Sequence, residues 1–197
     1  MKNKKLWVSL LALTLLMIGL TACSRDEEIR YVPADQTEAV ASSVGWGLGA
    51  YNAVDGTFGP MWHSYSLTHV LENTPYDSHF ITVDLGAVYR VTRLVYQGRV
   101  DVWPNSVITR YVIYTSQNAN GPFERAAEGT WSGEHWGVEH ADFDAVEARF
   151  VRLVALEATT FDDPADASRP DDFHAAASMI RIGVLGQSDY DEEYMPW

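Results

Sequence analysis

Lysine is absent from this chain after residue 5, and cysteine occurs once, at Cys23. The rest of the chain therefore has no phosphate-loop lysine, no Schiff-base lysine and no Ser-Lys dyad. A single cysteine excludes a disulfide within the chain and a zinc site built from cysteines. The fold must hold by packing alone, and the aromatic residues, 12% of the chain, supply large side chains for it.

Positive charge is also scarce. Beyond residue 22 the chain has 11 arginines against 27 acidic residues, a formal charge of −16. Binding to nucleic acid or to anionic lipid head groups depends on a basic surface. Both are therefore excluded as expected partners.

The N-terminus has the pattern of an export signal. Three lysines within the first five residues precede an uncharged run of 15 residues, Leu6 to Leu20. Such a run is short for a membrane span and has the length of a signal-peptide core. Leu20-Thr21-Ala22-Cys23 then resembles the bacterial lipoprotein box. We predict a signal peptide at residues 1–22 and lipid attachment at Cys23, the alternatives being an ordinary signal peptide or a buried apolar helix.

The segment after Cys23 is polar and charged. We interpret residues 23–36 as the lipidated cysteine and a flexible tether. The run Arg25 to Glu28 resembles a surface-export signal of some Gram-negative glycan-foraging bacteria, although a solvated linker has the same composition. The predicted location is therefore the outer membrane, lipid-anchored and exposed at the cell surface.

The remainder of the chain has a β pattern. Alternating or β-branched runs predict strands at residues 79–85, 88–96, 107–116, 126–131, 139–143, 148–156 and 179–185, with Gly86 breaking the first two apart. Short strands at regular spacing predict an all-β sandwich or barrel. Two long irregular stretches, Ser43–Thr74 and Thr159–Ala175, are typical of functional or disordered loops.

An ordered set of motifs resembles a known family. The motifs are Ala53-Val54-Asp55-Gly56, Trp62-His63-Ser64, Ile81 to Gly86, Tyr96-x-x-Arg99, Ile108 to Ser116, Arg149 to Leu153 and Ala177 to Ile182. Together they resemble the discoidin or coagulation factor 5/8 type C domain, closest to the bacterial family 32 carbohydrate-binding modules. The resemblance implies a galactose-binding-domain-like jelly-roll β-sandwich over residues 37–186. It also implies a non-catalytic role in binding galactose- or GalNAc-type glycans.

The resemblance implies a set of sugar contacts. His63 follows the tryptophan of the early loop, Arg99 ends a strand, and Asn105 comes six residues later. Such side chains can read sugar hydroxyls by converging hydrogen bonds. Trp103 is the candidate stacking platform. Trp46 and Phe173, both in the long loops, are further candidates.

Each candidate also has a structural interpretation. His63 can be a half-buried histidine, Arg99 can pair with Asp101 or Asp84, Asn105 can cap a turn, and Trp103 can pack on the sandwich. A sugar site requires Arg99, Asn105 and a ring that are exposed and converge. An Arg99 that is buried against a carboxylate would instead mean that this glycan site is lost, and it would favour a protein-interaction role.

The calcium site of many such modules is incompletely matched. Asp55 is present, but the position of a threonine ligand is Pro60 and that of a glutamate ligand is Met179, a poor ligand for a hard cation. We therefore expect no cofactor, with calcium at Asp55 only if such a site is kept.

The motifs of enzymes are missing. His135 to His140 lacks the spacing of the zinc protease motifs, and the chain has no Gly-x-Ser-x-Gly. The sequence thus predicts a non-catalytic glycan-binding lipoprotein with possible protein partners at the cell surface. The alternative is a scaffold module of an outer-membrane complex, in which the acidic aromatic tail at residues 187–197 would help to dock a partner.

Overall fold

The computed structural model describes residues 28–57, 59–65, 79–160 and 174–186. The predicted signal peptide, the lipid site at Cys23, the candidate platform Phe173 and the C-terminal tail lie outside these residues. Within the described ranges, no helix is long and apolar enough to cross a bilayer.

The described residues form nine β-strands and two 3₁₀ helices. The strands are β1 (Ile29–Tyr31), β2 (Glu38–Ala41), β3 (Trp62–His63), β4 (Phe80–Gln97), β5 (Ile108–Ser116), β6 (Glu124–Thr130), β7 (Val138–Ala158), β8 (Ala176–Ala177) and β9 (Met179–Leu185). The 3₁₀ helices are Ala34–Gln36 and Ala50–Ala53. All pairings between these strands are antiparallel, which suits strands that bury one face and leave the other toward water.

Two long strands, β4 and β7, contribute to both layers of the molecule. The first part of β4 pairs with β2 and with Phe150–Val154 of β7, whereas its second part pairs with β9 and with Val138–Ala148. The register shifts between Asp84 and Tyr89, where Gly86 has a φ of +75° that glycine adopts without strain. Gly86 therefore bends one continuous strand and does not separate two, contrary to the sequence prediction.

The bends fold the sheet over on itself as a jelly-roll β-sandwich, which confirms the predicted fold class. One layer holds β2, β5, β6 and the adjoining parts of β4 and β7; the other holds β1, β9 and the remaining parts. Apolar side chains fill the space between the layers, and Trp62 is fully buried there. Trp131 stacks on Tyr96 and Tyr111 with ring centroids 4.6 and 3.9 Å apart, a set we call the buried stack.

The folded domain begins earlier than the sequence indicated. Residues 29–36 were predicted to belong to the tether, but β1 pairs with β9 from Ile29 opposite Leu185 to Tyr31 opposite Gly183. Val32 follows as a buried residue whose N–H donates to the carbonyl of Ile182. Three residues are too short for a periodic pattern, so only the pairing with the last strand identifies this one.

Candidate functional site

The loop after β4 is anchored by one buried hydroxyl. The Tyr96 hydroxyl donates to the carbonyl of Ala176 at 2.8 Å and accepts from the N–H of Ile108 at 2.9 Å. This joins the end of β4, the start of β5 and strand β8. Burial raises the pKa of Tyr96, so the phenol stays protonated and can keep donating. The loop of residues 98–107 is therefore held at both of its ends.

Backbone hydrogen bonds bring two further segments to the same end. The N–H of Ser64 donates to the carbonyl of Ala175 at 2.8 Å, and the N–H of Gly45 donates to the carbonyl of His63 at 2.7 Å. A Cβ on Gly45 would lie 2.9 Å from the carbonyl oxygen of Ser64, so this close approach requires glycine. The early and late irregular stretches thus meet beside the loop that follows β4.

Arg99 and Asn105 form a buried polar group with Asp101. Arg99 donates through Nε and Nη2 to the two carboxylate oxygens of Asp101 at 2.7 and 2.6 Å, and through Nη1 to Asn105 Oδ1 at 3.0 Å. Arg99 and Asn105 are each 8% exposed. The bond from Arg99 holds the pKa of Asp101 below its usual range, so the pair is ionised at neutral pH.

This arrangement leaves some donors of the group unused. A guanidinium has five N–H groups, and three of those of Arg99 are engaged by Asp101 and Asn105. The remaining two, and the amide Nδ2 of Asn105, have no partner among the described residues. Arg99 is nevertheless buried against a carboxylate, so the predicted site built on an exposed Arg99 is not formed, and the protein-interaction alternative gains support.

Two histidines share one backbone acceptor. Nδ1 of His63 lies 2.8 Å from the carbonyl oxygen of Ser64, and Nδ1 of His174 lies 3.1 Å from the same oxygen. Because a carbonyl oxygen only accepts, each Nδ1 carries the proton and donates it. In the neutral rings Nε2 is then an unprotonated acceptor. The two rings lie 5.2 Å apart between centroids.

His63 is neutral at physiological pH. Its pKa is lowered to about 4, mainly by burial and to a smaller extent by His174 and Arg99, against the raising effects of the Ser64 carbonyl and Asp101. The His63 side chain is 3% exposed, so it is more buried than the half-buried histidine considered from the sequence. These interactions also place His63 within electrostatic reach of the Arg99 and Asp101 pair.

Exposed aromatic rings cover the two histidines. Trp46 lies edge-on to His63 at 4.8 Å, and its ring is 5.4 Å from His174 and 6.2 Å from Tyr65. Trp46 is 67% exposed and Tyr65 is 43% exposed. Trp46 also has a φ of +50°, an unusual conformation for a large residue. We call Trp46, His63, Tyr65 and His174 the loop cluster.

Trp103 lies in the neighbouring loop. Its N–H donates to Asp101 Oδ1 at 3.2 Å, and its side chain is 53% exposed. The ring contacts found among the described residues of the loop cluster do not include Trp103. Of the six predicted contacts, the structure therefore places His63 with Trp46 and Arg99 with Asn105, sets Trp103 beside Asp101, and does not describe Phe173.

Asp55 is engaged by its own loop. Its Oδ1 accepts from the N–H and from the hydroxyl of Thr57, each at 2.8 Å. The amide of Asn52 donates to the carbonyl of Met61, next to Pro60. Within the described part of the chain, no three His, Cys, Asp or Glu side chains are grouped so that they could hold a metal ion.

Sequence reasoning missed three members of the site. Ser64 was included only as part of a motif, and neither Tyr65 nor His174 was assigned a role. Asp101 was considered only as a partner that would remove Arg99 from the site. The adjacency of Trp62, His63, Ser64 and Tyr65 was visible in the sequence, whereas the approach of His174, 110 residues from Ser64, was not.

Comparison with known proteins identifies the family of this domain. The model of the F5/8 type C domain matches residues 36–167. A sialidase from Micromonospora viridifaciens is 32% identical over 138 residues, covering 70% of this chain and 19% of the sialidase. The chain thus spans about a fifth of the length of this curated relative.

Solved structures share the fold. The module CpGH89CBM32-5 from Clostridium perfringens, in complex with GalNAc-β-1,3-galactose, matches with a TM-score of 0.61 and 25% identity over 78% of this chain and 99% of that one. The family 32 module of Clostridium perfringens NanJ, in complex with galactose, matches with a TM-score of 0.63 and 22% identity over 79% of this chain and 99% of that one.

Proposed function

This chain belongs to the F5/8 type C domain family, and from that premise we propose that it is a non-catalytic glycan-binding lipoprotein of the bacterial cell surface. It is similar to modules whose structures contain galactose and GalNAc-β-1,3-galactose, so galactose-type sugars are the first ligands to consider. The matched region corresponds to accessory modules of enzymes, and these bind glycans without cleaving them.

The loop cluster is the observation that carries the proposal. A sugar ring presents an apolar face and a rim of hydroxyls, so a site for it combines an exposed aromatic surface with fixed polar atoms. Trp46 and Tyr65 supply exposed rings, and His63 supplies an acceptor whose orientation is set by the Ser64 carbonyl. Asn105 adds an amide donor from the neighbouring loop, held by Arg99.

Membrane attachment is a separate part of the proposal. The lipoprotein box at Cys23 and the acidic run after it support a lipid-anchored, surface-exposed protein. A single shallow site binds weakly, and many copies on one membrane raise the overall avidity. The protein would then hold polysaccharide for partner enzymes or transporters. Labelling with palmitate tests the anchor, and Cys23→Ala should abolish the incorporation.

A glycan array tests the binding function. The full chain is purified in a detergent without a sugar headgroup and applied to neutral, amino and anionic glycans beside Trp46→Ala. The proposal is supported if the wild type binds and Trp46→Ala binds at least about tenfold more weakly, because truncating a central aromatic commonly costs that much affinity. Arg99→Ala is less informative, since it would also release Asp101 and Asn105.

A matched control distinguishes binding at Trp46 from nonspecific binding by exposed aromatic side chains. Tyr51 is 62% exposed and lies outside the ring contacts of the loop cluster. Tyr51→Ala should therefore retain wild-type binding. Equal losses in both variants, or no binding by a folded wild type across the array, would contradict a glycan site at Trp46.

A scaffold role is the second candidate, and the burial of Arg99 favours it. Arg99 and Asn105 are each 8% exposed. Fewer of their polar atoms can therefore contact a sugar directly than in a fully open site. Trp46, Val102 and Trp103 remain exposed at this end and could contact another protein. Crosslinking in intact cells, with a photoreactive residue at position 103, would favour this role if it captured one protein stoichiometrically while the array stayed silent.

A further inference from the structure

We propose that Asp101 sets the charge class of the ligand, so that the site accepts uncharged sugars and rejects anionic ones. This rests on the proposed function and extends it to a residue that fixes specificity. Asp101 would act by occupying the charged face of Arg99, the permanent cation that the described residues place in this site.

The pairing geometry removes the charge that an acidic sugar would seek. Arginine recognises a carboxylate or sulfate through two parallel N–H donors. In Arg99 such a pair of donors, Nε and Nη2, already binds both oxygens of Asp101. The two N–H groups that remain, on Nη1 and Nη2, belong to an ion pair whose net charge is zero. An incoming anion would meet the Asp101 carboxylate, which is 36% exposed, at close range.

A neighbouring side chain is also an acceptor and not a cation. His63 donates Nδ1–H to the carbonyl of Ser64, and its neutral ring therefore presents an acceptor at Nε2. Burial keeps His63 neutral at pH 7, with a pKa of about 4. Acceptors bind hydroxyl hydrogens, which every neutral sugar supplies, and they repel the oxygens of a carboxylate.

The rest of the molecule follows the same pattern. Six arginines among the described residues pair with carboxylates: Arg30, Arg93, Arg99, Arg110, Arg125 and Arg149. The chain beyond residue 22 has no lysine and a formal charge of −16, so the long-range field also opposes an anionic ligand. Both the local contacts and the overall charge therefore act in the same direction.

The test compares two sugars that differ at one carbon. Methyl galactoside and the methyl glycoside of galacturonic acid share their ring hydroxyls, but the second has a free carboxylate in place of the C6 hydroxymethyl group. We expect the full chain in detergent to bind the galactoside about tenfold tighter or more at pH 7, since like-charge contacts oppose the galacturonate. If the array identifies a different neutral sugar, that sugar and its uronate form the pair.

Two variants locate the effect. Asp101→Asn removes the carboxylate while keeping its size, and should reduce the preference by about threefold or more by restoring charge to Arg99. Asp84→Asn is the matched control, because Asp84 forms a similar two-bond pair with Arg149 in the bend of β4 and changes the net charge equally. It should leave the preference unchanged.

The outcomes are separable. Equal or tighter binding of the uronate by the wild type overturns the role of Asp101 while leaving glycan binding intact, and this measurement needs no variant. An unchanged preference in folded Asp101→Asn, or the same change in Asp84→Asn, also overturns it. A folded wild type that binds no glycan of any class on the array overturns both this inference and the proposed function.

Discussion

The molecule contains two groups of aromatic rings that are built differently. In the buried stack, Trp131 lies between Tyr96 and Tyr111 at interplanar angles of 4° and 25°, and all three residues are at most 8% exposed. In the loop cluster, Trp46 meets its neighbours at angles from 41° to 82° and is 67% exposed. The rings of the buried stack close against each other, whereas Trp46 of the loop cluster leaves most of its surface open to solvent.

The two groups are also held by different forces. The buried stack lies between strands and is stabilised by the apolar surface it removes from water. The loop cluster is held by hydrogen bonds around Ser64, whose hydroxyl accepts from the N–H of Ala175 at 2.8 Å and lies 2.9 Å from His79 Nδ1. One group therefore contributes stability, and the other is positioned by polar contacts at the end of the molecule where we propose that a ligand binds.

The largest expected difference is in stability. Trp131→Ala should lower the free energy of unfolding by about 3–5 kcal/mol, because it leaves a cavity between two tyrosines. Trp46→Ala should lower it by less than about 1 kcal/mol, since most of that side chain is in water. Chemical denaturation followed by circular dichroism measures both. Similar losses in the two variants would show that the loop cluster is also part of the core.

The next difference is in pH dependence. In the folded state the pKa of His63 is lowered from 6.5 to about 4, so between these values the unfolded chain binds a proton that the folded chain does not. The stability that depends on neutral His63 is complete above pH 6.5 and is lost as the pH falls to about 4. The loss should be up to about 3 kcal/mol.

Two variants assign that slope to the loop cluster. His63→Gln should flatten the stability profile between pH 6.5 and 4. His140→Gln, at a histidine whose side chain is 59% exposed, should retain the wild-type slope. Trp131→Ala should retain it as well, because the buried stack contains only tyrosines as titrating groups and burial raises their pKa. An unchanged slope in His63→Gln would assign the effect to other groups.

The smallest effect concerns two buried serines. Ser64→Ala should cost about 1–3 kcal/mol, because it leaves the N–H of Ala175 without its acceptor. Ser178 is equally buried, but its hydroxyl has no partner among the described residues, so Ser178→Ala should be neutral or stabilising. Thermal unfolding of the two variants measures the difference. Equal destabilisation would mean that Ser64 acts through volume and not through its hydrogen bonds.

The fold was largely predictable because its signals are local. The alternating residues of β4, β5 and β9 identify strands without knowledge of their partners. The tether boundary and the break at Gly86 were misjudged for the opposite reason. The three residues of β1 can be identified as a strand only from their pairing with β9. Gly86 is a bend and not the end of a strand because β7 pairs with β4 on both sides of it.

The candidate site was predictable in its residue types and less so in its arrangement. Arg99 and Asn105 are six residues apart, so their meeting in one loop was foreseeable, and Asp101 was correctly considered as a partner of Arg99. The position of His174 in the site could not be predicted, because the residues around it in the sequence give no sign that it lies near His63. The roles of these residues toward a ligand remain predictions for the experiments above.

By itself, the amino-acid sequence determined the β class, the family and the charge of the surface, because strand periodicity, motif order and composition are properties of neighbouring residues. Only the tertiary structure decided which donors of Arg99 are used, which nitrogen of His63 donates to the backbone and which ring packs against it. These depend on a carbonyl at Ser64 and a carboxylate at Asp101 that the folded loops bring within hydrogen-bonding distance. Hydrogen bonds act over about 3 Å in space, and the number of residues between two groups does not indicate whether they lie that close in the fold.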